Sequence, residues 1–375
     1  MADAIKLGNS DVTFKVGSTD VDKIYLGSTL LYPSTPHDYS QDYLTFENVD
    51  NVDVTIYFRA SSNTIRKTVY ISTDGGSTWY DRTTNTGTSG VTLATLSSGE
   101  KMLVKGSNTA YGNSANYNFF KASGKIKVSG NIMSLIYGDD FIGKTSFSSS
   151  YTFKELFENL NNLINAKNLI LPATKVLTYS YYNMFRNCKF TTAPELPATT
   201  LDNYCYYGMF FGTNITTAPV LPATTLADYC YYQMFGYCSS LTTPPTLPAT
   251  TLADYCYQNM FQNCTSLVSA PELPATTLAI SCYRQMFQGC NRLTTAPELP
   301  ATTLTDYCYR QMFASCTSLN NITCLATDIS ASNCTTNWLN IVSSTGTFTK
   351  AASMSSWTTG VDGIPTNWTV QNYSS

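Results

Sequence analysis

The stretch LPATTLADYCYQNMFQNCTSLVSAPE, from Leu247 to Glu272, decides the fold because it is one copy of a repeat. A unit of this size cannot bury its own apolar face, so neighbouring units must stack on one another. Met-Phe pairs recur in register with the tripeptide Leu-Pro-Ala, and the steps are 25 or 26 residues. The spacing predicts a solenoid over residues 146–340. The tripeptide begins at Leu171, Leu196, Leu221, Leu247, Leu273 and Leu299.

Two patterns within the unit predict its local structure. Cys256, Met260 and Phe261 are spaced as on one face of a helix. The segment from Ser266 to Glu272 is short and contains a proline near its end, which suits a brief strand. We therefore expect one or two helical turns and one short strand per repeat, that is, an α/β solenoid.

The pattern MFxxCxSLxxAPxLPATTL resembles the BspA-like class of leucine-rich repeats, found on surface proteins of gut bacteria and their phages. The segments NITCLATDISASNCTTNW, TGTFTK and GIPTNWTV resemble the cap of such arrays, which implies a C-terminal cap over residues 341–375. This chain carries LPATT where many members have a plain hydrophobic strand. The binding partners of those members are therefore a weaker guide to the partner of this chain. The resemblance implies a leucine-rich-repeat fold that binds host or cell-surface molecules.

The N-terminal half is predicted to be β-rich and to contain two parts, which makes the protein multidomain. IKLGNSDVTF (residues 5–14) is echoed by IYLGSTLLYP (residues 24–33), which predicts a small β-module over residues 1–35. Such N-termini resemble those of fibre-type structural proteins in crAss-like phages of gut bacteria, which implies that this module anchors the chain to other virion proteins. Residues 36–145 alternate apolar and polar side chains in short runs, which predicts an antiparallel β-sandwich acting as a spacer.

The composition limits the classes of partner. Only 13% of the residues are charged, the net charge is −3, and 27 residues are tyrosine. Phosphate binding needs clustered Lys and Arg, so we expect no nucleic-acid partner. No run of 18 apolar residues predicts a membrane span, and the segment from Met1 to Lys6 lacks the charge and apolar core of a signal peptide. We therefore expect synthesis in a host cytoplasm and a place on the virion surface, with the bacterial cell surface as the alternative.

All 12 cysteines lie between Cys188 and Cys334, and 11 of them fall in two columns. Such columns could bind metal or undergo redox chemistry, or they could be a buried ladder of small side chains. Ser180 and Thr213 replace Cys at two positions, no CxxC spacing occurs, and the only histidine, His37, is distant in sequence. We therefore predict a buried ladder, no metal and no cofactor. The columns are Cys205, Cys230, Cys256, Cys282, Cys308 and Cys334, and Cys188, Cys238, Cys264, Cys290 and Cys316.

Two acidic motifs were considered as sites of catalysis. The stretch Ser72–Trp79 resembles the Asp-box, SxDxGxTW, of sialidase propellers, where it is a hairpin turn remote from catalysis; we expect Asp74 to cap such a turn. Asp139 and Asp140 could serve a glycosidase or bind Ca²⁺, but a turn before the first coil is the preferred interpretation. The protein is predicted not to be an enzyme. A carbohydrate-active enzyme using these acids is the least favoured alternative.

Aromatic columns are the strongest candidate for a binding surface. One column recurs with the repeat, and a second column, Tyr179, Tyr204, Tyr229, Tyr255 and Tyr307, precedes it by two residues. Because residues two apart on a helix cannot share a face, at least one column should point outward. A stacked ladder with only structural value is the competing interpretation. The candidate ligand-binding residues are Tyr181, Tyr206, Tyr231, Tyr257, Tyr283 and Tyr309, followed by Tyr182, Tyr207, Tyr232, Arg284 and Arg310.

The sequence thus predicts a phage fibre or decoration protein, a homo-oligomer such as a trimer. Its solenoid would bind a glycan or protein of a bacterial surface or of mucosa. A BspA-like bacterial adhesin is the alternative.

Overall fold

The structure, a computed structural model, describes residues 37–375 except 88, 89, 356 and 375. It also describes the backbone of four short strands nearer the N-terminus. The chain divides into two compact units, residues 1–38 and 39–375.

The N-terminal unit contains two antiparallel hairpins. The second hairpin matches the predicted strand pair of the IYLGSTLLYP segment, whereas the IKLGNSDVTF segment lies outside the described residues. The strands are β1 (Lys15–Val16) paired with β2 (Thr19–Asp20), and β3 (Ile24–Leu26) paired with β4 (Thr29–Tyr32).

Two facing antiparallel sheets begin the second unit. In β6 every second residue is buried, which is the pattern of a strand with one face on a core. Phe46 of β5 contacts Phe120 of the opposite sheet, with ring centroids 4.8 Å apart. One sheet has the order β12-β5-β10-β7-β8 and the other β11-β6-β9. The strands are β5 (Leu44–Asn48), β6 (Val54–Ala60), β7 (Thr68–Ser72), β8 (Tyr80–Thr83), β9 (Val91–Leu96), β10 (Lys101–Lys105), β11 (Asn118–Ala122) and β12 (Ile126–Asn131).

The sandwich continues into the solenoid without a break in the sheet. Strand β12 pairs in parallel with β13 (Leu163–Asn165) and with β14 (Leu169–Ile170), both from the first repeat. The single described α-helix, α1 (Ser134–Tyr137), lies just before this junction, and short 3-10 helices span Tyr39–Gln41, Asn63–Ile65 and Gly138–Asp140. Phe46 of the sandwich also reaches Phe157 of the first coil, with ring centroids 6.2 Å apart.

Residues from about 151 onward form a β-solenoid of about eight turns with the 25–26-residue repeat. Few residues qualify as regular strands, because neighbouring coils meet mainly through isolated parallel bridges such as Thr217 with Thr243. The strands of this part are β15 (Lys175–Val176), β16 (Thr200–Leu201), β17 (Asn321–Cys324), β18 (Thr347–Lys350) and β19 (Thr369–Asn372).

Each coil has a turn-rich side with an unusual backbone. Three residues spaced four apart have positive φ, for example Tyr179 (58°), Asn183 (51°) and Asn187 (64°). Alternate N–H groups donate to the next coil, as Tyr181 does to the carbonyl of Cys205 at 2.9 Å. The remaining N–H groups close turns to the carbonyl three residues earlier, as Met184 does to Tyr181 at 3.2 Å. The backbone is thereby satisfied half within the coil and half between coils.

The predicted α/β character is not confirmed. The described residues of the repeats contain no α-helix, and Ser266–Glu272 forms no regular strand. An α-helix requires the N–H groups to bond four residues back, whereas here every second group donates to the next coil. A residue with positive φ at every fourth position also prevents a continuous helix.

Stacked aromatic rings fill the core of the solenoid. The Phe column has ring centroids 5.5–5.8 Å apart and nearly parallel planes. The stack that contains the Tyr column continues to Trp338, whose ring lies 6.2 Å from Tyr309, and then to Trp357, 5.5 Å from Trp338. The Phe column comprises Phe157, Phe185, Phe210, Phe235, Phe261, Phe287 and Phe313.

Candidate functional site

The structure places the first predicted tyrosine column, which we call the inner column, in the core. Each of its six side chains is 1% exposed, so none offers a surface to a ligand in this conformation. The hydroxyls of Tyr181, Tyr231 and Tyr283 are buried and have no hydrogen-bond partner. We therefore give this column a packing role and do not include it in the binding surface. The inner column is Tyr181, Tyr206, Tyr231, Tyr257, Tyr283 and Tyr309.

Two other tyrosine ladders are half-buried and lie side by side at the surface; together we call them the tyrosine face. Adjacent rings in each ladder are stacked, with centroids 4.4–4.9 Å apart. The two ladders touch, since the ring of Tyr179 lies 5.5 Å from that of Tyr182. The expectation that at least one of the two columns points outward is therefore met, although the backbone is not helical. The face comprises Tyr151, Tyr179, Tyr204, Tyr229 and Tyr255 in one ladder, and Tyr182, Tyr207 and Tyr232 in the other.

Stacking determines which part of each ring remains available. A ring in the middle of a surface ladder has both π faces covered by its neighbours, so its edge and its hydroxyl are left for a ligand. Ring edges carry partial positive charge, and phenol hydroxyls donate hydrogen bonds. Burial, reinforced by the neighbouring Tyr255 and Tyr204, raises the pKa of Tyr229 to about 12. The hydroxyl of Tyr229 consequently remains a protonated donor at neutral pH.

A cluster of charged residues closes the N-terminal end of the face. Lys154 and Glu155 are 7% and 8% exposed, and their charged atoms lie 3.9 Å apart. Arg186 Nε lies 3.9 Å from Glu158 Oε1, and its guanidinium lies 3.9 Å from the Phe211 ring centre. Burial, and then the charge of Glu158, raises the pKa of Glu155 to about 7. The acids and bases at this end therefore neutralise one another.

The C-terminal end of the face is basic. The column of Tyr182, Tyr207 and Tyr232 continues through Gln258 to Arg284 and Arg310. Gln258 is buried, and the two arginines are half-buried. The predicted tyrosine-to-arginine column is thus continuous with the tyrosine face, and the side-chain chemistry changes from neutral to cationic along it.

Sequence reasoning missed Tyr151, Lys154, Glu155 and Glu158 at the first coil. Tyr151 precedes Tyr179 by 28 residues, so the 25–26-residue register does not align the two. Charged side chains in a degenerate first repeat carry no periodic signal, and their burial follows from packing against the sandwich, where Lys154 donates to the carbonyl of Asn113 at 3.2 Å.

Eleven of the cysteines lie in the core as the two predicted columns, and Cys324 is buried as well. In the second column each thiol donates to a phenylalanine carbonyl of the preceding coil, as Cys264 does to Phe235 at 3.1 Å. Thr213, which replaces Cys in this column, instead donates to the carbonyl of Phe210 in its own coil at 2.9 Å. Burial raises the pKa of the thiols, to about 11 for Cys238 and about 12 for Cys256. Thiols in this state are poor nucleophiles.

The two acidic motifs of the sandwich serve local structure. Asp74 accepts hydrogen bonds from Thr78 N (2.9 Å) and Ser72 Oγ (2.7 Å) in the hairpin between β7 and β8, as expected for a capping residue. These bonds, first of all those from Thr78, lower the pKa of Asp74 to about 2. Gly75 and Gly76 have the positive φ that this turn requires.

Asp139 is bound to neighbouring strands. It accepts hydrogen bonds from Lys105 Nζ and Tyr43 OH, both at 2.7 Å, and the lysine lowers the pKa of the carboxyl. The same Lys105 lies 4.1 Å above the ring of Trp79. The arrangement ties the 3-10 turn that contains Asp139 to the sandwich.

Comparisons with known proteins identify no relative. Neither a protein-family model, nor a curated protein, nor a solved structure matches the chain significantly. Among the described residues, three or more His, Cys, Asp or Glu side chains nowhere come together as metal ligands. Over the same residues, the structure contains no helix long and apolar enough to cross a membrane.

Proposed function

We propose that this protein is a binding protein whose solenoid presents the tyrosine face to a glycan or protein of a bacterial surface or of mucosa. In this proposal residues 1–35 attach the chain to other proteins of a phage virion, as their resemblance to fibre-type proteins implies. The protein acts as a fibre or decoration subunit, as a homo-oligomer, and carries out no catalysis.

The observation that carries the proposal is a tyrosine ladder over the first five coils with a second ladder beside it over three of them. Tyrosine offers a large contact area with few rotatable bonds, so an ordered row loses little conformational entropy on binding. The stacking fixes the rings further, since neighbouring centroids are only 4.4–4.9 Å apart. The face is therefore organised before a ligand arrives.

The test is binding of the full-length protein to host cells and to an array of surface and mucosal glycans. Replacing Tyr179, Tyr204 and Tyr229 together by Phe keeps the stacked rings and removes the three hydroxyls. Each lost hydrogen bond weakens binding by roughly 0.5–1.5 kcal/mol, so we expect at least about a tenfold loss in affinity. Tyr80→Phe is the matched control, because Tyr80 is exposed on the sandwich, away from the face. Unchanged binding of the triple variant would contradict the assignment of this face.

A separate experiment tests whether the protein is part of a phage virion. An antibody against the solenoid is applied to native phage particles and imaged by electron microscopy. Label at the head or tail supports the attachment to a virion and identifies the structure that carries it. Label only on bacterial envelopes, with clean particles, refutes the virion part and leaves the cell-surface adhesin.

A further inference from the structure

The basic end of the tyrosine face differs from the other coils in two adjacent positions. At the coil of Arg284 the aspartate found as Asp254 and Asp306 in the flanking coils is replaced by Ile280, and the ladder tyrosine by Ser281. This coil therefore loses a carboxylate and an aromatic ring beside the residue that introduces a positive charge. Ser281 is buried, so the break in the ladder is covered by surrounding side chains.

The two arginines of this end have no counter-charge among the described residues. The ion pairs of the described chain include neither Arg284 nor Arg310. Asp254 and Asp306 form no ion pair with either arginine, and each accepts a backbone N–H of the next coil, from Ile280 (2.9 Å) and from Ser332 (2.8 Å). Two guanidinium groups on adjacent coils repel each other, and an anion between them removes that repulsion.

Unpartnered polar atoms mark the same place. The Nε atoms of Arg284 and Arg310 are buried without a hydrogen-bond partner. Buried polar groups in proteins are almost always paired, so both guanidinium groups have hydrogen-bonding capacity that the protein itself does not use. Guanidinium groups bind carboxylate and sulfate oxygens in pairs of parallel hydrogen bonds.

The tyrosines of the face also favour a ligand that accepts hydrogen bonds. Its rings expose their positively polarised edges and their hydroxyl donors rather than their π faces. Such a surface favours a ligand that is rich in hydrogen-bond acceptors. At the opposite end, by contrast, Lys154 and Arg186 are paired with Glu155 and Glu158 and offer no free charge.

From this we infer that Arg284 and Arg310 form the anchor for an anionic group of the ligand, and that the ligand is an acidic glycan bearing carboxylate or sulfate groups. The inference rests on the proposed function, since it assigns a chemical class to the ligand of the tyrosine face. The glycan chain lies along the hydroxyl ladder, and its acidic substituent binds the two guanidinium groups.

The experiment measures the affinity of the full-length protein for one hexasaccharide backbone in three forms: sulfated, carboxylated and neutral. We expect the acidic forms to bind at least about tenfold more tightly than the neutral form, with an advantage that falls as salt rises. The combined change Arg284→Gln and Arg310→Gln should abolish this advantage. Arg292→Gln is the matched control, because it removes the same charge from an exposed residue outside the column.

A second variant keeps both arginines. Ile280→Asp restores the carboxylate that other coils carry at this position, so we expect the fold to tolerate it, and it adds one negative charge to the coil of Arg284. Affinity for the acidic forms should fall severalfold, while affinity for the neutral form is unchanged. The sulfated and carboxylated arms distinguish which anion the site prefers.

The outcomes separate the inference from the proposed function. If the neutral form binds as tightly as the acidic forms, or if the double Arg variant keeps the preference, the inference is overturned while the tyrosine face remains a glycan site. If none of the three forms binds, the acidic-ligand inference and the proposed glycan binding by the tyrosine face are both overturned for this hexasaccharide backbone.

Discussion

The buried thiols make the solenoid sensitive to alkaline pH, and the size of the effect follows from their number. An exposed cysteine has a pKa of about 8.5. Burial raises the pKa of every cysteine in this chain, and the lowest value in the core is about 11, at Cys238. The unfolded chain therefore loses thiol protons at a pH where the folded chain keeps them. Stability is full below about pH 8.5 and is lost as the pH rises toward 11.

The magnitude is large because the effect is repeated in every coil. At pH 9.5 each buried thiol favours the unfolded state by about 1.4 kcal/mol. Eleven of the 12 thiols, all except Cys334 in the last coil, lie fully in the core. Together these eleven thiols favour the unfolded state by about 16 kcal/mol at pH 9.5, which exceeds the roughly 5–15 kcal/mol that stabilises the folded state of a typical domain. We expect cooperative unfolding between about pH 9 and pH 10.

The assay is circular dichroism and tyrosine fluorescence during an alkaline titration in the presence of a reductant. Replacing Cys264 and Cys290 by Ala removes two of the eleven groups, so fewer protons are released at the midpoint and the transition becomes less steep. A thiol reagent at pH 8 should modify the folded protein far more slowly than the urea-unfolded chain. A protein that stays folded beyond pH 11, or thiols that react at the same rate in both states, would refute the reasoning.

Three further predictions concern stability in urea at neutral pH. Tyr231→Phe removes a buried hydroxyl that lacks a partner and should raise the free energy of unfolding by about 1 kcal/mol; a loss would show that the hydroxyl is bonded. Trp338→Ala removes a ring near the C-terminal end of the core stack and should cost about 3–5 kcal/mol, with the last coils losing hydrogen-exchange protection first. Gly289→Ala should cost more than Gly143→Ala, because φ is positive at both but only at Gly289 would the new Cβ meet a side chain, that of Asn263; equal costs would contradict the clash.

The repeat register could be predicted from the sequence, but the backbone conformation could not. A fixed period places equivalent residues in columns whatever the local geometry, so the cysteine ladders followed from spacing alone. The spacing of Cys256, Met260 and Phe261 fits a helix and also fits a string of turns. The available signal was a pair of Asn or Gly residues four apart in several coils, as in Asn183 with Asn187, since these residues favour positive φ.

For the candidate site, the sequence identified the tyrosine columns but not which of them is buried and which lies at the surface. Tyr181 and Tyr179 are the same residue type two positions apart, yet one is in the core and the other at the surface. The periodic pattern gave no means of choosing between them. The arginines at Arg284 and Arg310 could be placed in the column, whereas the missing counter-charge at Ile280 became meaningful only with the contacts of the neighbouring aspartates.

The direction of the hydrogen bonds between coils gives the solenoid two unequal ends and an adjustable length. At the first coil the carbonyls of Thr152 and Leu156 are satisfied by Tyr111 and Phe120 of the sandwich. At the last coil the indole N–H of Trp338 donates to Gly363 of the cap. Every coil between these ends makes the same contacts with its neighbours. Inserting or deleting one whole repeat therefore leaves both ends intact and changes the length of the solenoid by the spacing of one coil. The number of repeats thus sets that length.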